Sequence, residues 1–229
     1  MKNRLFGSGI FLVVAMLVFF ACKKNETTNT PQQDIYLTTS AGSTWNYHET
    51  DLSGATPVNM DFTLTSTSRD SLINSRNYHV FSNSAGSNQY LNITGSDYYQ
   101  FDSLPAGFGT STIERLYLKD NAAVGANWNQ ATTVTLPGVP LAVPVTLTFS
   151  VVEKGISRTV NGMVYSNVIH VTTSISSVLI PAASLTTSIN SYYAKKYGLI
   201  ETTNIISLNY MGVIQNLNTE TKLVNATLL

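Results

Sequence analysis

Three histidines and thirteen acidic residues are the side chains of this chain that could support acid–base catalysis. His48, His79 and His170 all fall in segments that alternate like β-strands, far apart in the sequence. His48 and Glu49 are adjacent, so in a strand their side chains point to opposite faces and cannot act together. The chain contains no G-x-S-x-G, H-E-x-x-H or phosphate-loop motif. These observations favour histidines that lie on strands and are exposed or hydrogen-bonded to neighbouring residues. A hydrolase is therefore the least favoured function for this chain.

Two pairs of carboxylates come close together in the sequence. Asp97 and Asp102 flank the segment Y-Y-Q-F, and Glu49 and Asp51 share one face of a predicted strand. A glycosidase needs two carboxylates across a cleft, and neither spacing indicates one. Calcium binding needs a denser run of oxygen ligands than either segment offers. We therefore predict no catalytic residue, no metal and no cofactor.

The tyrosines, twelve in all, are the more suggestive set. Tyr98 and Tyr99 form one adjacent pair in a predicted strand, and Tyr192 and Tyr193 form another. Aromatic side chains on strands pack first of all in the core and against cross-strand neighbours. On an open or concave face the same rings would contact a sugar or a hydrophobic ligand. These four tyrosines are therefore the candidate ligand-contacting residues.

The single cysteine, Cys22, follows a basic start and a hydrophobic run. Lys2 and Arg4 precede an unbroken apolar segment at residues 10–21, a pattern typical of a cleaved export signal. A membrane-spanning helix needs roughly 20 apolar residues, more than this run supplies. A lone cysteine cannot form an internal disulfide and makes a poor metal site. We therefore predict that residues 1–21 are a cleaved signal peptide and that Cys22 carries the lipid that attaches the mature chain to a membrane.

Charge and composition narrow the class of protein further. The chain carries 13 basic and 13 acidic residues, and only 11% of its residues are charged. Binding to nucleic acid needs a basic stripe that neutralises phosphates, and the sequence has none. Abundant Thr, Tyr, Val and Ile favour strands, whereas Asn, Ser and Gly favour turns. The composition therefore predicts a β-rich domain with no nucleic-acid partner.

The pattern along the chain divides it into a tether and a domain. Residues 22–40 are polar and predict a flexible tether, whereas residues 41–229 predict a single β-rich domain. Alternation of period two begins at Trp45, Tyr47 and Glu49, which share one face of a strand. Asn161-Gly162, between two alternating segments, is the strongest hairpin signal. Further strands are predicted at 113–119, 128–136, 186–194, 198–210 and 221–228.

Hairpins that follow one another indicate an antiparallel meander without parallel crossovers. The predicted fold class is all-β: a strongly curved antiparallel meander sheet or half-barrel of about 10–12 strands, with a β-sandwich as the alternative. Residues 188–200 could instead form a short helix. Their paired tyrosines and Gly198 favour strand, turn and strand.

Three segments resemble a group of envelope proteins: C-K-K-N-E at 22–26, G-S-T-W-N-Y at 42–47 and Y-Y-A-K-K-Y-G-L-I at 192–200. They resemble uncharacterised lipoproteins of Bacteroidota, and the order of elements resembles the LolA/LolB-like lipoprotein carriers. This resemblance implies a curved antiparallel sheet around an apolar cavity. Ser71 and Ser103, each within Asp-Ser-Leu, match the loose O-glycosylation pattern of such proteins and are candidate modification sites.

Together these features predict a lipid-anchored lipoprotein of the cell envelope, held at the outer membrane, that is not an enzyme and binds an apolar or lipid-like ligand. A surface module that binds glycan or assists a larger assembly is the alternative. Whether the domain faces the periplasm or the cell surface is left open, and no protein partner is predicted.

Overall fold

The computed structural model describes residues 35–105, 108–109, 111–139 and 141–229, and these form an all-β fold, as predicted. The described segments contain twelve strands and one short 3-10 turn at Ala182–Ser184. The strands are β1 (Thr44–Asp51), β2 (Val58–Ile73), β3 (Arg76–Asn83), β4 (Gln89–Thr94), β5 (Asp97–Ser103), β6 (Thr112–Lys119), β7 (Asn127–Thr135), β8 (Ala142–Val160), β9 (Met163–Ser176), β10 (Leu185–Ala194), β11 (Gly198–Tyr210) and β12 (Val213–Thr227).

All twelve strands belong to one antiparallel sheet that is nearly closed and barrel-like. The spatial order is β6-β5-β4-β3-β2-β1-β12-β11-β10-β9-β8-β7, so nearly every neighbour in space is also a neighbour in sequence. The exception is the pairing of the first strand with the last, β1 with β12. The predicted meander is confirmed, and the arrangement is one sheet, not a β-sandwich. Residues 188–200 are strand, turn and strand, as the sequence favoured over a helix.

Tight hairpins connect the long strands. Asn161 and Gly162 join β8 to β9 with φ angles of 47° and 81°. Two-residue hairpin turns with positive φ at both positions match the twist of the flanking strands, and Asn-Gly adopts them at low cost. The hairpin predicted at this dipeptide is therefore confirmed. Met211 and Gly212 connect β11 to β12 with similar angles, although methionine is not a residue that signals such a turn.

Register shifts bend the sheet at several places. They interrupt the pairing of β1 with β12, β2 with β3, β5 with β6, β8 with β9 and β10 with β11. An extra residue in one strand of a pair increases the local twist and curves the sheet. These bulges supply the curvature that brings the end strands, β6 and β7, towards each other.

Side chains rather than a strand ladder join β6 to β7. Trp128 Nε1 of β7 donates to the carbonyl oxygen of Leu116 on β6 at 2.7 Å. The amide N–H of Leu116 donates to Gln130 Oε1 at 2.9 Å, and Gln130 Nε2 donates to the carbonyl oxygen of Glu114. An exposed strand edge carries backbone groups that need partners. Two β7 side chains, Trp128 and Gln130, thus provide hydrogen-bond partners for the β6 backbone along the contact between β6 and β7, called the seam below.

The inner face of the sheet carries two hydrophobic clusters. The larger contains most of the aromatic core, including Trp45, Tyr47 and Phe81. The smaller is aliphatic and comes from β7, β8, β11, the start of β12 and the segments between strands; its buried members are Val134, Leu136, Val139, Val143, Val145, Ile180, Leu208 and Val213. Trp45 and Tyr47 are 1% and 5% exposed, which confirms the buried face predicted for β1.

The described chain already contacts the domain before β1 begins. Tyr36 and Leu37 are buried, and Leu37 forms an isolated bridge with Tyr197. The Tyr36 amide donates to Tyr98 Oη at 2.9 Å. Packed structure therefore starts before residue 41. The predicted signal peptide and Cys22 lie outside the described residues.

Candidate functional site: an internal cavity

A half-open internal cavity of about 480 Å³ lies between the two hydrophobic clusters. Small-molecule sites are typically about 300–1,000 Å³ and mostly apolar, with a few placed polar groups. The inner faces of strands from both halves of the sheet line this cavity. Its apolar wall includes Val145, Leu147, Phe149, Ile189, Ile206 and Leu208.

Period-two alternation places these side chains on the wall. Phe149 of β8 pairs with Thr173 of β9, and Thr173 pairs with Ile189 of β10, so the three side chains share a face. Ile206 of β11 pairs with Leu217 of β12 on the same surface. A strand exposes alternate residues to each face, so an apolar residue at every second position builds one continuous apolar wall.

One polar group on this wall is Arg115 of β6, with Gln100 and Asp102 of β5 beside it. Arg115 Nη2 donates to Gln100 Oε1 at 3.0 Å. The same nitrogen lies 3.8 Å from Asp102 Oδ2, an ion pair longer than a hydrogen bond. Arg115 Nε is buried and has no hydrogen-bond partner. The guanidinium is therefore only partly satisfied by the protein.

Two tyrosines lie next to this arginine. The rings of Tyr117 and Tyr193 are 5.3 Å apart, and both line the cavity. Burial raises the pKa of Tyr193 to about 12, against smaller lowering effects from Ser191 and Arg115. Burial also raises the pKa of Tyr117 well above its usual value. Both phenols are therefore neutral at neutral pH and can only exchange hydrogen bonds with a ligand.

The remaining polar groups described on the wall include three bonded pairs. Thr221 Oγ1 donates to Glu49 Oε2 at 2.9 Å, and Asn204 Nδ2 donates to Thr219 Oγ1 at 3.1 Å. The hydroxyls of Ser191 and Thr202 are 3.1 Å apart. Buried polar groups with partners cost little, so these pairs allow polar atoms to line an otherwise apolar space.

The structure separates the four candidate tyrosines. Tyr193 lines the cavity, as expected for a ligand-contacting residue. Tyr98 is fully buried in the core, where its hydroxyl donates to Asp120 Oδ2 at 2.8 Å. Tyr99 lies on the outer face of β5, and the Arg76 guanidinium lies 3.4 Å from its ring centroid.

Tyr192 is on the outer face and is covered on both sides. Its ring stacks on His170 at a centroid distance of 4.2 Å and an interplanar angle of 18°. The guanidinium of Arg158 lies 3.4 Å from the same ring centroid and also bonds to Glu201. Sugar recognition by stacking needs a free ring face, and Arg158 and His170 occupy those of Tyr192.

Each histidine has an acidic partner of its own. His48 Nδ1 lies 2.7 Å from Asp61, and His170 Nδ1 lies 3.1 Å from Glu153. The structure does not bring the three histidines to one site. Within the described residues, no cluster of three or more His, Cys, Asp or Glu side chains could hold a metal ion.

His79 has the partners of a catalytic triad. Its Nδ1 lies 3.0 Å from Asp70 Oδ1, and its Nε2 lies 2.8 Å from Ser66 Oγ. A triad needs the serine hydroxyl to give its proton to the imidazole. Here the Ser66 hydroxyl donates to the carbonyl oxygen of Thr39 at 2.9 Å, and Ser66 is only 1% exposed. The arrangement anchors the chain at Thr39 and hides Ser66 from any substrate.

The candidate carboxylates are also distributed over two faces. Asp102 and Glu49 line the cavity, whereas Asp97 pairs with Lys119 at 3.3 Å. Ser103, at the end of β5, is exposed and lies at the cavity wall, and Ser71 of β2 is half-buried. O-glycosylation of these serines stays a prediction.

Sequence reasoning missed Arg115 and Gln100 as site residues. The available signal was the spacing of Ile113, Arg115 and Tyr117, which puts a charged side chain on the same strand face as two hydrophobic ones. A charge on a buried strand face must have a partner or a function. The segment also contains Glu114 and Lys119, so alternation there does not by itself identify the inner face.

Fold and site together define a β-rich protein with a ligand-sized internal cavity. No protein-family model matches the chain, and the search of curated proteins gave no match. The fold is similar to the crystal structure of a proposed lipoprotein from Parabacteroides distasonis. That similarity covers 85% of this chain and 99% of the other, at 11% identity and a TM-score of 0.46.

Proposed function

We propose that this chain is a lipid-anchored binding protein of the cell envelope that holds an apolar, lipid-like ligand inside its sheet. The observation that carries this proposal is the cavity of about 480 Å³ with its aliphatic and aromatic wall. Protein interiors are close-packed, so packing of the core alone does not explain a half-open apolar space of this size inside the sheet.

The energetics favour an apolar occupant. Transfer of a methylene group from water to an apolar wall contributes about 0.8 kcal/mol. Part of that gain offsets the loss of ligand freedom on binding. A ligand chain of several methylenes along Val145, Leu147 and Ile206 still gives a net favourable free energy of binding. An apolar chain also regains the van der Waals contacts that an empty cavity lacks.

The bonding of the reactive groups supports a non-catalytic role. Ser66 is sealed and gives its proton to a backbone carbonyl, and Glu49 accepts a hydrogen bond from Thr221. Hydrolysis would need an accessible nucleophile or an acid and a base on either side of a bond. We therefore assign the cavity to binding.

The anchor part of the proposal comes from the sequence. The basic start, the apolar segment at residues 10–21 and Cys22 support export and lipidation. A doubly or triply acylated cysteine stays in a membrane because each buried acyl methylene adds about 0.8 kcal/mol. Metabolic labelling with palmitate tests the anchor: the full chain should be labelled, and Cys22→Ala should not. Unlabelled full chain would contradict it.

Native mass spectrometry of the chain purified from its own membrane tests the ligand. We expect a mass above that of the lipidated protein, and organic extraction should release an apolar compound in about equimolar amount. A protein that carries no extra mass, and that takes up no apolar compound after delipidation, would refute the proposed binding function.

A glycan-binding function has one observation in its favour. An open groove of about 530 Å³ on the outer face is lined by polar side chains, among them Asn77, Asn92 and Arg76. Amide and guanidinium groups are donors and acceptors suited to sugar hydroxyls. A glycan array separates the two functions: glycan binding that Asn77→Ala weakens would favour the groove.

A further inference from the structure

The head group that the cavity selects can be inferred from Arg115. Its Nη2 donates to Gln100, its Nε is buried without a partner, and its side chain as a whole is 34% exposed. The exposed part of this guanidinium can therefore donate to a ligand. A ligand oxygen would gain a charge-assisted hydrogen bond there, which a pure hydrocarbon cannot form.

The charge of the cavity selects among the possible acceptors. Of the described residues on its wall, Arg115 is the one cation, whereas Asp102 and Glu49 are both carboxylates. Asp102 lies 3.8 Å from Nη2 of Arg115 and already balances its charge. A ligand carboxylate would add a second negative charge beside Asp102, and like charges at short range repel. An uncharged carbonyl oxygen accepts from the guanidinium without that repulsion.

We propose that the ligand is an uncharged acyl ester or amide whose carbonyl oxygen accepts a hydrogen bond from the exposed part of the Arg115 guanidinium. The hydrocarbon chain then lies along the apolar wall formed by residues such as Leu147 and Ile206. This inference rests on the proposed binding function and specifies its ligand. It places the polar end of the ligand at β5 and β6 and its hydrocarbon chain along the aliphatic side chains of β8 and β11.

Three probes of similar length test the proposal on the delipidated full chain: methyl laurate, laurate and the hydrocarbon dodecane. Competition against a fluorescent apolar dye gives their relative affinities at neutral pH. We expect methyl laurate to bind about tenfold or more tightly than dodecane, since a hydrogen bond to a charged group is among the stronger kinds. Laurate should bind more weakly than its ester.

The variant Arg115→Met removes the donor and keeps a long side chain. It should lower the preference for the ester over dodecane to about one, and dodecane affinity should change little. Arg69→Met is the matched control, because Arg69 is exposed on β2. The control should keep the wild-type preference.

A spectroscopic readout needs no variant. Methyl laurate labelled with carbon-13 at its carbonyl should show a lower infrared carbonyl stretching frequency when bound than in an alkane solvent, because the oxygen accepts a hydrogen bond. An unshifted stretch would overturn the inference even if Arg115→Met did not fold.

The outcomes separate this inference from the function on which it rests. If none of the three probes binds, the proposed binding function fails. If all three bind equally, or if Arg115→Met keeps the preference for the ester, only the assignment of the head group fails. Tighter binding of laurate than of methyl laurate would overturn the uncharged class and favour an anionic ligand.

Discussion

Ile205 and Ile206 are neighbours on β11 whose side chains lie on opposite faces of the sheet. Ile206 is 8% exposed and lines the cavity, whereas Ile205 is 45% exposed on the outer face. The same substitution, isoleucine to tryptophan, therefore gives a test variant and a matched control. Ile206→Trp should fill part of the cavity, and Ile205→Trp should leave the cavity unchanged.

The expected magnitudes follow from the space that the indole occupies. An indole that takes the place of about three ligand methylenes removes about 2.4 kcal/mol of binding free energy, at about 0.8 kcal/mol for each methylene. That loss corresponds to an affinity roughly 60-fold weaker. In a packed core the larger side chain would cost about 1–3 kcal/mol of stability. In an open cavity it should cost less than that or add stability.

Two measurements on the delipidated full chain check this reasoning. Urea unfolding gives the stability of each variant, and titration with methyl laurate gives the dissociation constant. We expect Ile206→Trp to weaken binding strongly at nearly unchanged stability, and Ile205→Trp to alter neither. If Ile206→Trp lost several kcal/mol of stability, or if both variants weakened binding equally, Ile206 would not face an open cavity.

Three further predictions concern the fold around the cavity. Gln130→Leu removes the acceptor for the Leu116 amide, so that amide should exchange hydrogen faster and stability should fall by about 1–3 kcal/mol; Asn129→Leu, on the other face of β7, should have little effect on either. Burial raises the pKa of Tyr193 to about 12, so the neutral phenol stabilises the folded state fully below pH about 10, and this stabilisation is lost as the pH rises towards 12. Tyr193→Phe should therefore reduce the slope of stability against pH between pH about 10 and 12. Ser66→Ala removes the hydrogen bond to Thr39 and should cost about 1–3 kcal/mol in urea unfolding, with no loss of any esterase activity.

A specific result would contradict each of these three predictions. Unchanged exchange at Leu116 in Gln130→Leu would mean that the seam has other partners. An unaltered pH slope in Tyr193→Phe would mean that Tyr193 ionises normally. A hydrolytic activity that Ser66→Ala abolished would restore the catalytic interpretation of the Ser66, His79 and Asp70 cluster.

Much of the fold was predictable because its signals are local. The alternation of Trp45, Tyr47 and Glu49 identified the buried face of β1 from neighbouring residues alone. Asn161-Gly162 identified a hairpin because the dipeptide itself favours positive φ. The hairpin at Met211-Gly212 has no comparable signal in its first residue, so there the long strands around it decide the turn.

The site was less predictable because its members come from distant parts of the chain. Glu49 and Thr221 are bonded across 172 residues of sequence, and no local pattern indicates that contact. The pairs Tyr98-Tyr99 and Tyr192-Tyr193 looked equivalent in the sequence. The structure puts only Tyr193 of these four on the cavity wall.

The sequence by itself determined the strand-rich composition and the hairpin at Asn161-Gly162, since each depends on the residue types themselves or on a few adjacent residues. It also predicts a lipid anchor at Cys22. The tertiary structure alone decided that twelve strands curve into one nearly closed sheet and leave a cavity between two clusters. The physical reason is that curvature is a sum over bulges and pairings along the whole sheet. The space inside the sheet therefore depends on all twelve strands together. The hydrogen-bond partners of Arg115 depend on the same long-range arrangement.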